Sequence, residues 1–253
     1  MKTLIVCLFT ALLLTACFGN RKKASFGLKI QDLKKQEETE NSESFTRKYQ
    51  SIEYCLKYDL PINVDLPEIE TEAQSKIRSK EEIVSRTFAL LYLGIKSEGT
   101  EAAKLKELEE KYDIRKCFTT EELAYVDAAN PTQQQTVNAN WRYESMHVLL
   151  WALGYIDSLS YPNQLCNVGD DVLLIWANSK TEFMAKAQVR SKKEILDQAD
   201  LIYRIHWACV NARINDQEPP GQLNNSVVYE RHYVLNWLIN HMDQTWDNIS
   251  TDT

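Results

Sequence analysis

The chain has 253 residues, a hydrophobic content of 44% and a formal charge of −7. That is room for one large domain or two small ones, with an apolar share ordinary for a globular protein. The acids are spread along the chain, which excludes a nucleic-acid surface, and only seven glycines argue against glycine-rich phosphate loops and a turn-dense β-sandwich.

The first residues read as processing signals rather than fold. Lys2 supplies the positive start, and Leu4–Leu14 is an apolar core too short to span a membrane stably. It ends in Leu14-Thr15-Ala16-Cys17, which resembles the lipobox of bacterial lipoproteins: small residues before a cut, then a cysteine that receives lipid. The expectation is a signal peptide over residues 1–16, lipidation at Cys17, and a membrane-anchored protein of the cell envelope facing the periplasm or the exterior. Residues 17–44 are polar and charged around Lys34-Lys35-Gln36-Glu37-Glu38 and read as a solvated tether. Beyond Cys17 the cysteines are Cys55, Cys117, Cys166 and Cys209. An exported compartment permits disulfides, all three pairings stay open, and no CxxC pair points to a zinc knuckle or a thioredoxin-type site.

Residues 45–253 read as the domain. Ser44–Leu60 predicts a first helix. Pro61–Pro67 alternates apolar and polar residues between prolines, which predicts an extended segment or edge strand. Ser79 and Glu82 spell a capping box before an apolar run to Leu93. The hexapeptide Arg78–Ile83 nearly recurs at Arg190–Ile195, again opening a helix. Shared N-cap chemistry accounts for the likeness, with an internal duplication as the alternative. Glu101–Tyr112 predicts a charged, exposed helix, Thr119 and Glu122 cap a short one, and Asn130-Pro131 starts a long helix to about Ile156. In that long helix Val137, Trp141, Glu144, Val148, Trp151 and Tyr155 form one stripe, with Met146, Leu149, Leu150 and Leu153 opposite. A helix apolar nearly all round is a buried one, so this is the expected centre of the domain. Pro162–Asp171 reads as a loop and Val172–Trp176 as a helical turn or strand. Helices follow at Ile195–Ile214 and, capped by Asn225 or Ser226, at Ser226–His241. Five or more helices with at most one short extended segment predict an all-α, single compact multi-helix domain.

The stretches WRYESMHVLLWALG, RSKKEILDQADLIYRIHWACVNAR, VVYERHYVLNWLI and the terminal WDNISTDT resemble the bacterial family described as domain of unknown function 4272. The resemblance runs from about Arg78 to the last residue, with Pro61–Pro67 included. It implies no activity, and no catalytic residue carries over from it.

The informative misfits are polar residues in apolar stripes. Glu144 sits among aromatic and aliphatic residues, and Arg231 among Val227, Val234, Leu238 and Met242. An isolated buried charge costs several kcal/mol, so the two are expected to form a buried ion pair between their helices, with Asp200–Arg204 extending it. Glu144-x-x-His147 has the spacing of di-iron carboxylate bundles, but a single copy argues for no metal and no cofactor. His206 and Cys209 are spaced to touch, which invites a Cys–His dyad, but a buried cysteine is a poor thiolate and a lone histidine on an apolar face is usually a hydrogen-bonded core residue. Asp200, Arg204 and Trp207, and Arg231 with Asn236, are the candidate binding residues; Tyr229, His232, Asn236 and Asn240 share a face that suits a cleft wall. The leading expectation is a lipid-anchored binding or interaction module whose partners are the membrane, through the anchor, and another envelope protein or a small ligand. The alternative is a carboxylate-dependent hydrolase of cell-wall glycan with Glu144 as acid or base and His232 nearby. Glu144-Ser145 on an apolar helix resembles lytic transglycosylases in this respect, although their glycine-rich and glutamine-bearing motifs are missing.

Overall fold

The computed structural model describes residues 30–36, 39 and 42–253. Cys17 and the expected signal peptide lie outside the described residues. Residues 30–36 are helical, and beyond them the α-helices are α1 (Glu43–Lys57), α2 (Lys80–Ser97), α3 (Ala102–Tyr112), α4 (Thr120–Asp127), α5 (Gln133–Ala152), α6 (Val168–Trp176), α7 (Lys180–Lys186), α8 (Lys192–Ile214) and α9 (Asn225–Leu238). Their starts are written locally. Ser79 with Glu82, Thr119 with Glu122, Thr132 with Gln135, Ser179 with Glu182 and Ser191 with Glu194 each close a reciprocal capping box. Each such cap stabilises its helix by about 1 kcal/mol. Asn167 and Asn224 cap α6 and α9. The first of these shortens the expected loop, because α6 begins at Val168 and takes in the run Val172–Trp176 as helix.

No strand forms among the described residues, so the fold is all-α. The segment 61–67 pairs with no sheet. Asn63 accepts from Asp65 N–H at 3.0 Å and turns the chain. Lys48 Nζ then donates to the Leu66 carbonyl at 2.7 Å, and Arg204 to the Pro67 carbonyl at 3.1 Å. Buried cations thus satisfy carbonyls that a strand would have given to a ladder.

The core surrounds α5, which lies between α2 and α9; α8 packs on α9 and on α1. From Tyr143 onward α5 is buried almost all round, as its composition predicts, whereas its first two turns project and leave Val137 exposed. Gly94 of α2 lets α5 come close: a Cβ there would lie 2.4 Å from the Tyr143 ring. The helix stops at Gly154, which takes φ +77° and sits under the Gln188 carbonyl.

The recurring hexapeptide is part of a larger repeat. Tyr143, Glu144, Val148, Leu149, Trp151 and Asp157 recur at the same spacing as Tyr229, Glu230, Val234, Leu235, Trp237 and Asp243. The two repeats cross-dock. Arg78 donates from its backbone N–H to Leu238 at 2.9 Å and from Nε to the Trp237 carbonyl at 3.1 Å, with its guanidinium 5.2 Å from the Trp237 ring centre. Arg190 donates from its N–H to Ala152 at 2.9 Å and from Nε to the Trp151 carbonyl at 2.9 Å, stacked 5.0 Å over Trp151. Each arginine therefore caps the C-terminal carbonyls of the other repeat's helix, where a cation also meets the negative helix end. Common N-cap chemistry alone does not call for this reciprocity, which fits the alternative of an internal duplication.

Candidate functional site

The repeat places Glu144 on α5 and Glu230 on α9 at equivalent positions, 3% and 5% exposed. Glu230 forms the floor of a cleft of about 620 Å³ between α5, α8, α9 and the last residues of the chain. Ser145 Oγ donates to its Oε2 at 2.6 Å and Arg142 at 3.0 Å; Oε1 takes neither bond. Burial pushes the Glu230 carboxyl above the usual carboxylate range, against the pull of Arg142 and Ser145. The Arg142 guanidinium is held in place over Tyr233 at 4.8 Å and Trp246 at 5.6 Å. Trp141 and Tyr229 give the cleft aromatic walls, and Arg213 and Asp252 bring one charge of each sign to its rim.

His206 lines the same cleft, and His232 lines a second cavity of about 730 Å³ with Tyr203, Asn236 and His241. The two rings meet Nδ1 to Nδ1 at 2.8 Å. The network fixes their tautomers. Asn236 Nδ2 donates to the Ser250 carbonyl at 2.8 Å, an acceptor only, so the same nitrogen also donates to His232 Nε2 at 3.1 Å. His232 then carries its proton on Nδ1 and donates it to His206 Nδ1, which leaves the His206 proton on Nε2. Burial lowers both, His206 to about 4 and His232 to about 3, so the pair is neutral at neutral pH.

Glu144 is built differently. Its Oε1 accepts from the Cys166 backbone N–H at 2.7 Å, and its Oε2 is buried without a hydrogen-bond partner. Beside it, His147 Nδ1 lies 2.8 Å from Asp171 Oδ2. The Cys166 thiol rests against Glu144 and Asp171, and burial followed by these two carboxylates pushes it well up.

The expected Glu144–Arg231 ion pair does not form. Arg231 donates to the Ser160 carbonyl at 2.5 Å, its Nε is unpartnered, and Glu144 is met instead by the Cys166 backbone N–H. Arg231 remains in the field of Glu144, but burial still lowers it. Asp200 and Arg204 form their own bidentate pair at 2.7 and 2.8 Å, sealed by the Pro67 carbonyl, and do not extend a network. Trp207 is half-buried beside them, away from the cleft-lining set. The structure thus joins Asn236 with His232, and Tyr229 with His206 at the cleft, but leaves Asp200, Arg204 and Arg231 in separate contacts. His206 is engaged by His232 rather than by Cys209, whose thiol burial pushes up to about 12. The four cysteines beyond Cys17 are all unpaired. Sequence reasoning missed Glu230 and Arg142 and met Ser145 only as the neighbour of Glu144; the Tyr-Glu pair repeated at 143–144 and 229–230 was the signal that could have found Glu230.

The family described as "Domain of unknown function (DUF4272)" matches residues 47–249. No curated protein and no solved structure matches the chain.

Proposed function

The chain belongs to the DUF4272 family, and from the site itself we propose a non-catalytic binding module that takes a small ligand carrying both charges. The carrying observation is the 620 Å³ cleft, within the size range of small-molecule sites, with aromatic walls and fixed polar groups of both signs. Arg142 is held by Glu230 and by two rings before any ligand arrives, and such preorganisation favours binding. Arg213 suits a carboxylate, Glu230 and Asp252 an ammonium, and Trp141 and Tyr229 an apolar body. Amino acids and short peptides have that chemistry. A hydrolase working through Glu144 draws no comparable support, since that carboxylate is sealed and apart from the cleft.

The test is calorimetry against a panel of amino acids and short peptides. Saturable binding that weakens in Arg213→Ala and in Tyr229→Ala, both at exposed positions, supports the reading. Absence of binding across the panel, or cleavage of a bound peptide followed by NMR, overturns it. The module is further proposed to sit at the envelope, anchored through lipid on Cys17; the order Leu14-Thr15-Ala16-Cys17 supports this. Cys17→Ser is then expected to move the protein from the membrane pellet to the soluble fraction.

A further inference from the structure

We propose that His147, Cys166, Asp171 and Glu144 form a zinc site, separate from the cleft. One donor atom from each of His147, Cys166 and Asp171 lies within 4.8 Å of the others. Tetrahedral zinc with nitrogen, sulfur and oxygen ligands spans about 3–4 Å between donors, so small side-chain adjustments bring these three to one ion, and Glu144, which lies outside that group, completes the four by a side-chain rotation. The second observation is the orphaned oxygen. Glu144 is 3% exposed and its Oε2 has no partner, although an unpartnered buried carboxylate oxygen is costly. Its other oxygen is tied to Cys166 N–H, which holds the carboxylate against the same thiol.

The placement follows from two elements. Glu144 and His147 are one turn apart on α5 and share a face. Cys166 immediately precedes the α6 N-cap, and Asp171 lies in the first turn of that helix. A bound ion would pin α6 and its leading loop to α5. A single Glu-x-x-His pair in the sequence is insufficient for a metal; the tertiary structure adds the thiolate and a second carboxylate from residues about twenty positions away.

The same three residue types also spell a Cys–His–Asp nucleophile, with Asp171 orienting His147. The surroundings favour the ion. The Cys166 thiol is directed at the Tyr143 carbonyl at 3.8 Å and His147 Nδ1 is taken by Asp171, so no imidazole stands ready to accept the thiol proton from that nitrogen. Zinc among a thiolate and two carboxylates leaves one negative charge, and Arg231, in the field of Glu144, offsets it. Sulfur and imidazole ligands select zinc over magnesium or calcium, which take oxygen.

The test loads the full-length chain, stripped with chelator, with zinc or cobalt. About one ion per chain is expected, with a thiolate-to-cobalt charge-transfer band and a zinc-dependent rise in melting temperature. Cys166→Ser is expected to abolish the band, and His147→Gln to weaken zinc by at least about 100-fold, while far-UV circular dichroism of both metal-free variants matches that of the parent. Failure of the parent to retain zinc against a competing chelator would overturn the site. So would a cobalt spectrum without the thiolate band, or variants that bind as the parent does.

Discussion

Glu144 and Glu230 occupy the same place in two related helices, and their surroundings have diverged. Glu230 is met by Arg142 and Ser145 on one oxygen and opens its other side to a cleft. Glu144 is met by a backbone N–H, a thiol and an Asp171–His147 pair, with one oxygen left over. The helix pattern is the same; the neighbours differ because residue 142 is arginine where its counterpart 228 is valine, and residue 145 is serine where 231 is arginine. Arg231 is the mirror counterpart of Ser145, but the Ser160 carbonyl captures it. A buried carboxylate is therefore paired with a cation in one repeat and left with an unsatisfied hydrogen-bond acceptor in the other.

The contrast predicts a ranking of effects. The largest is expected from Arg142→Met, which strands Glu230 and should cost about 3–5 kcal/mol in urea unfolding. Arg142→Met combined with Glu230→Leu should recover much of it. A double-mutant cycle without coupling would break the comparison at its better-satisfied end.

Second in size is a pH effect confined to the α9 side. His232 of α9 stands where α5 carries Met146. His206 and His232 have folded values of about 4 and about 3 against 6.5. The unfolded chain therefore binds more protons between these limits. The contribution is fully present above pH 6.5. Over the first pH unit below 6.5 it falls by on the order of 1.4 kcal/mol per histidine. Glu230 acts with the opposite sign, since its raised value makes its contribution present below 4.5 and lost as pH rises through the folded value. Thermal melts over this range should show the acid slope in the parent, a flatter slope in His206→Gln with His232→Gln, and a steeper one in Glu230→Gln.

The third concerns the equivalence on which the comparison rests. Arg78→Lys and Arg190→Lys each lose a stacked, forked cap while keeping the charge. Both should destabilise by similar amounts, about 1 kcal/mol. A cost in only one of the two melts would show that the repeats no longer do the same work.

The smallest is expected at Glu144. In the metal-free chain Glu144→Gln retains an acceptor for Cys166 N–H and breaks no ion pair, so unfolding should shift by less than about 1 kcal/mol. A loss as large as that of Arg142→Met would mean that Glu144 has a strong partner after all.

Much of the fold was legible in the sequence. The capping boxes at Ser79, Thr119 and Ser191 mark helix starts because the donor and acceptor lie three residues apart and need no tertiary contact. The burial of α5 was legible because apolar residues circle it. The boundary at Gly154 and the short α7 were written in the same local code, as a residue free to take positive φ and as Ser179 with Glu182. The candidate site was far less legible. Periodicity identified Glu144 and Arg231 as misfits but paired them with each other, on the assumption that two buried stripes face one another in register.

By itself the sequence determined the all-α class, most helix starts, the family, and which charges sit where burial is costly, since each depends on residues within a turn or two. Only the tertiary structure decided what those charges meet. A helical stripe states which face is buried but neither the rotation of the opposing helix nor the path of the loop between them. Cys166 reaches Glu144 and Asp171 reaches His147 because the chain after Gly154 returns to α5, and Ser160 on that same return takes Arg231 first. A helix period cannot encode a contact that depends on where a loop passes.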